Sequence, residues 1–186
     1  MDAFSYLSVL LSIILGLAIT QVLQGYRALL LARARVRIYP PPMIWSALLI
    51  IFAAQSWWAS FGLAGYHGWT FATFSVILLQ SALLYMMTAL VFPDMPAGEA
   101  IDLREHYYRE VRPFFAIALA MLCVSIGKDV MVSGRLPIPA NLAFHLFFAA
   151  VAVIAIVTRR PRFHEIAAPL MAAFIIAYIA LLFARL

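Results

Sequence analysis

Four polar residues stand inside otherwise apolar runs and could do chemistry there: Gln55, Lys128, Asp129 and His145. A lysine or aspartate in hydrocarbon is costly unless it is paired or hydrated, so its presence asks for a reason. If the fourth apolar run enters a bilayer at Phe114, about 20 residues carry it to Ser133. Lys128 and Asp129 then lie more than a turn below the far surface. Neighbouring helix positions point about 100° apart, so the two need not face each other. Asp129 could accept from Ser125 or Ser133, one turn either way. Gln55 and His145 belong to the same depth, which makes the four a candidate outward-facing polar cavity. The opposing reading ends the helix at Gly127, leaves Lys128 to snorkel and makes His145 a singly bonded packing residue.

Other polar positions carry weaker signals. Gln21, Gln24 and Gln80 must find amide partners in lipid, and interhelical hydrogen bonds are the usual answer. Asp102, His106 and Glu110 recur at four-residue spacing, which a cation could use, but Arg109 beside them fits a solvated charged helix as well. No two histidines share a depth suited to haem. Hydrolase, P-loop, dinucleotide and zinc-protease patterns are missing, so no catalytic, metal or cofactor residue is assigned. Ser8, Ser12, Gly16 and Thr20 draw a small-residue stripe along the first span, a candidate helix-packing interface. Packing within one subunit and contact between copies both remain open. Ala168 with Ala172, and Ala173 with Ala177, repeat the pattern in the sixth.

The elements that position these residues are read from hydropathy. The chain is 66% hydrophobic and 11% charged, against about 25% charged in soluble domains. A span needs roughly 20 apolar residues, and six stretches qualify: 6–29, 43–63, 69–92, 114–131, 141–157 and 164–183. The expectation is an all-α polytopic bundle forming one integral membrane domain over 1–186. Prolines 40–42, 93, 96, 113, 137, 139 and 161 fall at span boundaries, and Pro169 should bend the sixth helix near its start. Tyr39 and Trp45 are expected at one interface, and Trp57, Trp58, Tyr66 and Trp69 at the other.

The one long polar connection, 94–112, opens on a turn at Pro96 and Gly98. Asp102 and Glu105 then resemble a capping box, Glu105 and Arg109 a supporting pair, and Tyr107, Tyr108 and Val111 could rest on headgroups as an interfacial helix. Basic residues follow the odd-numbered spans: Arg27, Arg33, Arg35, Arg37, Arg104, Arg109, Arg112, Arg159, Arg160 and Arg162 make ten on one side. Lys128, Arg135 and Arg185 make three on the other. The positive-inside rule puts the ten, and the 94–112 connection, in the cytoplasm and both termini outside. Because these cations sit between apolar runs, the net charge of +5 does not indicate nucleic acid. The single Cys123 excludes an internal disulfide, and a start with Asp2 and no Lys or Arg reads as a retained span rather than a signal peptide.

The two halves share a short pattern, Arg37-Ile-Tyr-Pro-Pro-Pro before the second span and Arg135-Leu-Pro-Ile-Pro before the fifth. This is what a weak 3+3 inverted repeat would leave. The phrases SVLLSIILGLAITQ, SWWASFG, LLYMMTALVFPD, HYYREVRPFF and RFHEI resemble an uncharacterised family of small bacterial multi-span membrane proteins. The resemblance implies a bacterial inner-membrane location and brings no activity or functional residue with it.

Three functions are open at this stage. The first is a non-enzymatic subunit that associates with copies of itself or with other membrane subunits, docking through the basic loops and 94–112. The second is a small-solute or ion pathway at the polar cluster, and the third a membrane enzyme acting on lipid or quinone. Asp129 is the one acidic residue expected more than a turn inside a span, since Glu165 stands at the opening of the sixth, which favours association. The charge asymmetry also makes a prediction. A reporter active only in the cytoplasm, fused after Leu186, should stay silent; a strong signal would reverse the orientation.

Overall fold

The computed structural model describes residues 3–95 and 98–182. Asp2, Pro96, Arg185 and the end of the sixth expected span at Phe183 lie outside the described residues. Six helices run as α1 (Ala3–Leu31), α2 (Pro40–Ser60), α3 (Phe71–Leu90), α4 (Leu103–Ser133), α5 (Pro139–Val157) and α6 (Pro161–Leu182). All six are long and apolar enough to cross a membrane. The protein is a multi-pass transmembrane helical bundle. Apolar side chains such as Val9, Ile13, Leu17, Leu146, Val153, Ile166 and Ile176 point outward, where a soluble protein would carry polar ones.

Local chemistry sets the ends. Proline opens α2, α5 and α6, where the missing N–H costs nothing. Thr70 and Thr73 close a reciprocal cap on α3. The Asp102 carboxylate accepts from the amides of Arg104 and Glu105 and starts α4. Gly134, at φ 71°, ends α4 in the left-handed conformation that glycine adopts without strain.

Helix α2 sits at the hub, touching α1, α3, α4 and α6, while α3 also packs along α1 and α4, and α5 along α4. Helix α1 lies along α3, whereas α4 and α6 meet through side chains, Tyr107, Tyr108 and Phe115 against His164. At the end that carries the basic loops, two short strands, β1 (Val36–Arg37) and β2 (Ile101–Asp102), pair in parallel and tie the α1–α2 connection to the start of α4. The Arg37 guanidinium lies 3.5 Å from the Asp102 carboxylate across this ladder. The Arg35 side chain donates to the Glu99 carbonyl.

Three expectations change here. The segment 103–112 is the first three turns of a continuous α4 that passes through Pro113, and not a separate interfacial helix. Its Leu103, His106, Tyr107 and Val111 are buried against the bundle, so that face does not lie on headgroups. At about 1.5 Å per residue, this helix of 31 residues exceeds the roughly 30 Å of hydrocarbon, which lets its charged first turns project beyond it. Tyr39 and Trp45 are core residues, with Trp45 edge-on to Phe114 and Phe115 at 5.7 and 5.4 Å. Trp57 and Trp58 are exposed, as a belt requires. Arg109 turns to Glu110 and His106 instead of Glu105.

The glycines of α1 face opposite ways. A Cβ on Gly25 would run into the Phe92 ring, which itself packs edge-on against Tyr26. A Cβ on Gly16 would meet nothing and Thr20 is exposed, whereas Ser12, though exposed, accepts from the Trp57 indole of α2 at 3.0 Å, so only part of the stripe faces away from the subunit. Gly25→Leu should therefore destabilise the isolated chain by about 1–3 kcal/mol, read as a lower melting temperature in detergent. Gly16→Leu should leave that temperature unchanged.

Candidate functional site

Toward the end opposite the basic loops the core thins. Small polar side chains replace large apolar ones: Ser56 and Ser60 on α2, Ser81 on α3 and Ser125 on α4. They cannot fill the space between the helices, and a cavity of about 420 Å³ remains. Gln55, Gln80, Lys128, Asp129, Arg135, Asn141 and Tyr178 line it as well.

Helix α4 does not stop at Gly127. It continues to Ser133, so Lys128 and Asp129 are helical, and both side chains are about three-quarters covered (24% and 27% exposed). They pair loosely, Nζ to Oδ1 at 3.8 Å. The other carboxylate oxygen accepts from Asn141 Nδ2 at 3.5 Å, and the Asn141 amide oxygen accepts from the Tyr178 hydroxyl at 3.1 Å. Ser133 bonds the backbone carbonyl of Asp129, not its carboxylate. This chain joins α4, α5 and α6 along one wall.

His145 is buried and bonded twice. Its Nδ1 donates to the Asn141 carbonyl at 2.9 Å, which leaves Nε2 to accept from the Ser125 hydroxyl at 3.1 Å. It faces a second, smaller cavity of about 100 Å³ deeper in the bundle, lined by Trp45, Phe52, Leu84, Phe114, Phe148 and their neighbours. Gln55 lies on both cavities. Of the four residues singled out in the sequence, three therefore line the larger space, and His145 is linked to it through Ser125. Gln80, Asn141, Tyr178 and Arg135 were not included. Asn141 and Tyr178 carry no signal at sequence level, because Asn141 opens an apolar run and Tyr178 is an ordinary aromatic near the end of one.

Gln55 and Gln80 are half-buried, and among the described residues neither amide has a hydrogen-bond partner. Both amides face the cavity, where only a hydrated space or a bound molecule satisfies them; lipid cannot.

The other buried histidines are tethers. His106 Nε2 donates to the Leu90 carbonyl at 3.0 Å while Nδ1 accepts from Arg109 at 3.1 Å. His164 Nε2 donates to the Thr158 carbonyl at 2.8 Å while Nδ1 accepts from the Tyr107 hydroxyl at 3.0 Å. Asp102 is spent on capping and Arg37, His106 on Leu90, and Glu110 on Arg109, so the four-residue spacing builds no metal site. Among the described residues no group of three His, Cys, Asp or Glu is placed to hold a metal. Beside this cluster, burial and the hydrogen bond to Tyr108 hold the Tyr39 phenol far above its ordinary pKa.

The fold is that of a multi-pass helical membrane protein, and at one end of it polar side chains line a cavity. Set against protein-family models, curated proteins and solved structures, the chain matches none.

Losing one member of the charge pair should hurt more than losing both, because a lone covered charge has no compensation. Lys128→Met should cost about 2 kcal/mol. The Lys128→Met, Asp129→Leu double variant should recover most of that, read by thermal unfolding in detergent. Equal losses would mean that the two charges are independently solvated.

Proposed function

We propose that this chain is a membrane module that admits a small solute into the cavity between α2, α3, α4 and α5. The observation that carries this reading is the pair of half-buried glutamine amides, Gln55 and Gln80, facing a space of about 420 Å³ without a partner among the described residues. That volume falls within the range of small-molecule sites, about 300–1,000 Å³. A bundle that served only to associate would gain by filling it, since unfilled volume costs packing energy. The lining offers amides, hydroxyls, a charge pair and one further cation, which suits binding and passage rather than bond-breaking. We place the module in a bacterial inner membrane, with the cavity opening away from the cytoplasm, on the motif resemblance and the charge asymmetry.

Association is a second reading, and one observation favours it: on α1, Gly16 and Thr20 are exposed and nothing of the subunit stands over Gly16. The basic-end connection is less available for docking than its sequence suggests, because the ladder and the buried face of α4 occupy it.

The test is reagent access. With the exposed Cys123 replaced by Ala, cysteines at Asp129, Ser125 and Gln80 should all react with a membrane-impermeant thiol reagent added to right-side-out vesicles. Ser125 and Gln80 are the deciding positions, since both lie below the mouth. Reaction at Asp129 alone would indicate a packed bundle and sink the solute reading.

A further inference from the structure

The two cavities adjoin. Gln55, Ser56, Gln80, Met121, Ser125 and Tyr178 line both and stand as a waist between a polar upper chamber and an apolar lower one. Below the waist, among the described residues, His145 is the only polar side chain apart from the Trp45 indole, and the rest of the wall is apolar, with Phe52, Leu84, Phe114, Phe115 and Phe148 in it. Above it lie Lys128, Asp129 and Arg135. Asp129 is engaged by Lys128 and Asn141. Arg135 is exposed and makes no ion pair among the described residues. Two cations against one carboxylate leave the upper chamber one positive charge in excess. A small hydrophilic ion would meet the upper chamber's chemistry but leave the lower chamber without a role.

From this arrangement we propose that the two chambers together take one amphipathic molecule, a long-chain alkyl carboxylate. Its head lies by Arg135 and Lys128, and its chain runs past Ser125 to Trp45. The proposal rests on the solute reading above and names the class of solute. Geometry sets the length. Lys128 and Phe115 are thirteen residues apart on α4, about 20 Å of helix rise, so a short acid cannot bridge head site and lower chamber. Charge sets the head. A carboxylate accepts a two-pronged hydrogen bond from a guanidinium, whereas an amine would add a third cation to the same chamber. The polar head, not the alkyl chain, answers the waist amides of Gln55 and Gln80, since methylenes cannot hydrogen-bond.

Trp45 lines the lower chamber and provides the readout. In the full chain carrying Trp57→Phe, Trp58→Phe and Trp69→Phe, Trp45 is the sole tryptophan. The chain is held in phosphatidylcholine nanodiscs and titrated with 16-bromohexadecanoate, whose terminal bromine quenches an indole on contact. Saturable quenching is expected, reversed by hexadecanoate and not by butyrate or by the methyl ester. Arg135→Gln should weaken it about tenfold, the effect of losing a charge-assisted hydrogen bond. Tritiated hexadecanoate binding to the unsubstituted protein, corrected for empty nanodiscs, guards against a misfolded variant and should saturate in the same range. Non-saturating quenching, equal quenching by the ester, or stronger quenching by a bromoalkyl amine would each overturn the proposal. So would absence of binding to the unsubstituted protein. If cysteines at Ser125 and Gln80 still label in that event, the cavity stands as a site for a small polar solute, and the amphiphile alone is withdrawn.

Discussion

Hydrocarbon cannot hydrogen-bond, and the rest of this structure follows from that constraint. Every polar atom that the bundle carries below the headgroups must be answered by another protein atom or by something held inside. The three buried histidines show the first solution. Each gives one ring nitrogen to a backbone carbonyl, of Leu90, Asn141 or Thr158, and takes a bond from Arg109, Ser125 or Tyr107 at the other. Because carbonyls only accept, each ring's tautomer is set by its surroundings. His106 and His164 bond carbonyls at the closing ends of α3 and α5, groups that a helix leaves without internal partners. These two histidines are thus pins at helix ends, while His145 joins α5 to α4 through Ser125, and all three rings have both nitrogens engaged.

The two ends of the bundle meet the constraint differently. At the basic end the answer is closure. Tyr39, Trp45, Tyr107, Phe114 and Phe115 fill the interior with rings, and the parallel ladder joins two connections over it. At the other end serines occupy positions where a filled core would need leucine or phenylalanine. A serine answers its own hydroxyl locally, as Ser60 and Ser81 do on the carbonyls of Trp57 and Ile77. It therefore adds polarity to a wall without demanding a partner across the helices. Small, self-satisfied side chains keep the space open, and the glutamines turn that space into one that must be occupied.

Much of the bundle was legible because the solvent it answers to is simple. Apolar runs gave six helices within a few residues of their ends except at the start of α4, which opens eleven residues before its apolar run, and Asp102, Pro139 and the prolines at 40–42 marked starts that the backbone adopts. What stayed hidden depends on contacts between distant residues. The first turns of α4 read as a surface helix because their arginines are plain in the sequence. The burial of Tyr107 depends on His164, fifty-seven positions away. Tyr39 and Trp45 fit an interfacial belt by type and position, and only their pairing with α4 shows that they point inward. Gln55, Lys128 and Asp129 could be read as cavity residues because hydrocarbon leaves few other uses for them. Asn141 and Tyr178 could not, since either can end a span without consequence.

The charge pair bears on what kind of cavity this is. Lys128 and Asp129 are neighbours on one helix, a spacing that turns the side chains about 100° apart and makes close pairing awkward. Their 3.8 Å separation reflects that. A covered ion pair is weak support for stability in any case, because desolvation offsets the attraction, and apolar residues of similar size often serve as well. If closure were the task, this wall would be better built from leucine. A loosely matched pair that shares its carboxylate with Asn141 keeps bonding capacity turned toward the cavity, since the ammonium has donors to spare. The same logic applies to Gln55 and Gln80 across the space. The polar end of the bundle is thus built from groups whose unmet bonds face inward together, an arrangement that costs stability unless water or a guest completes it.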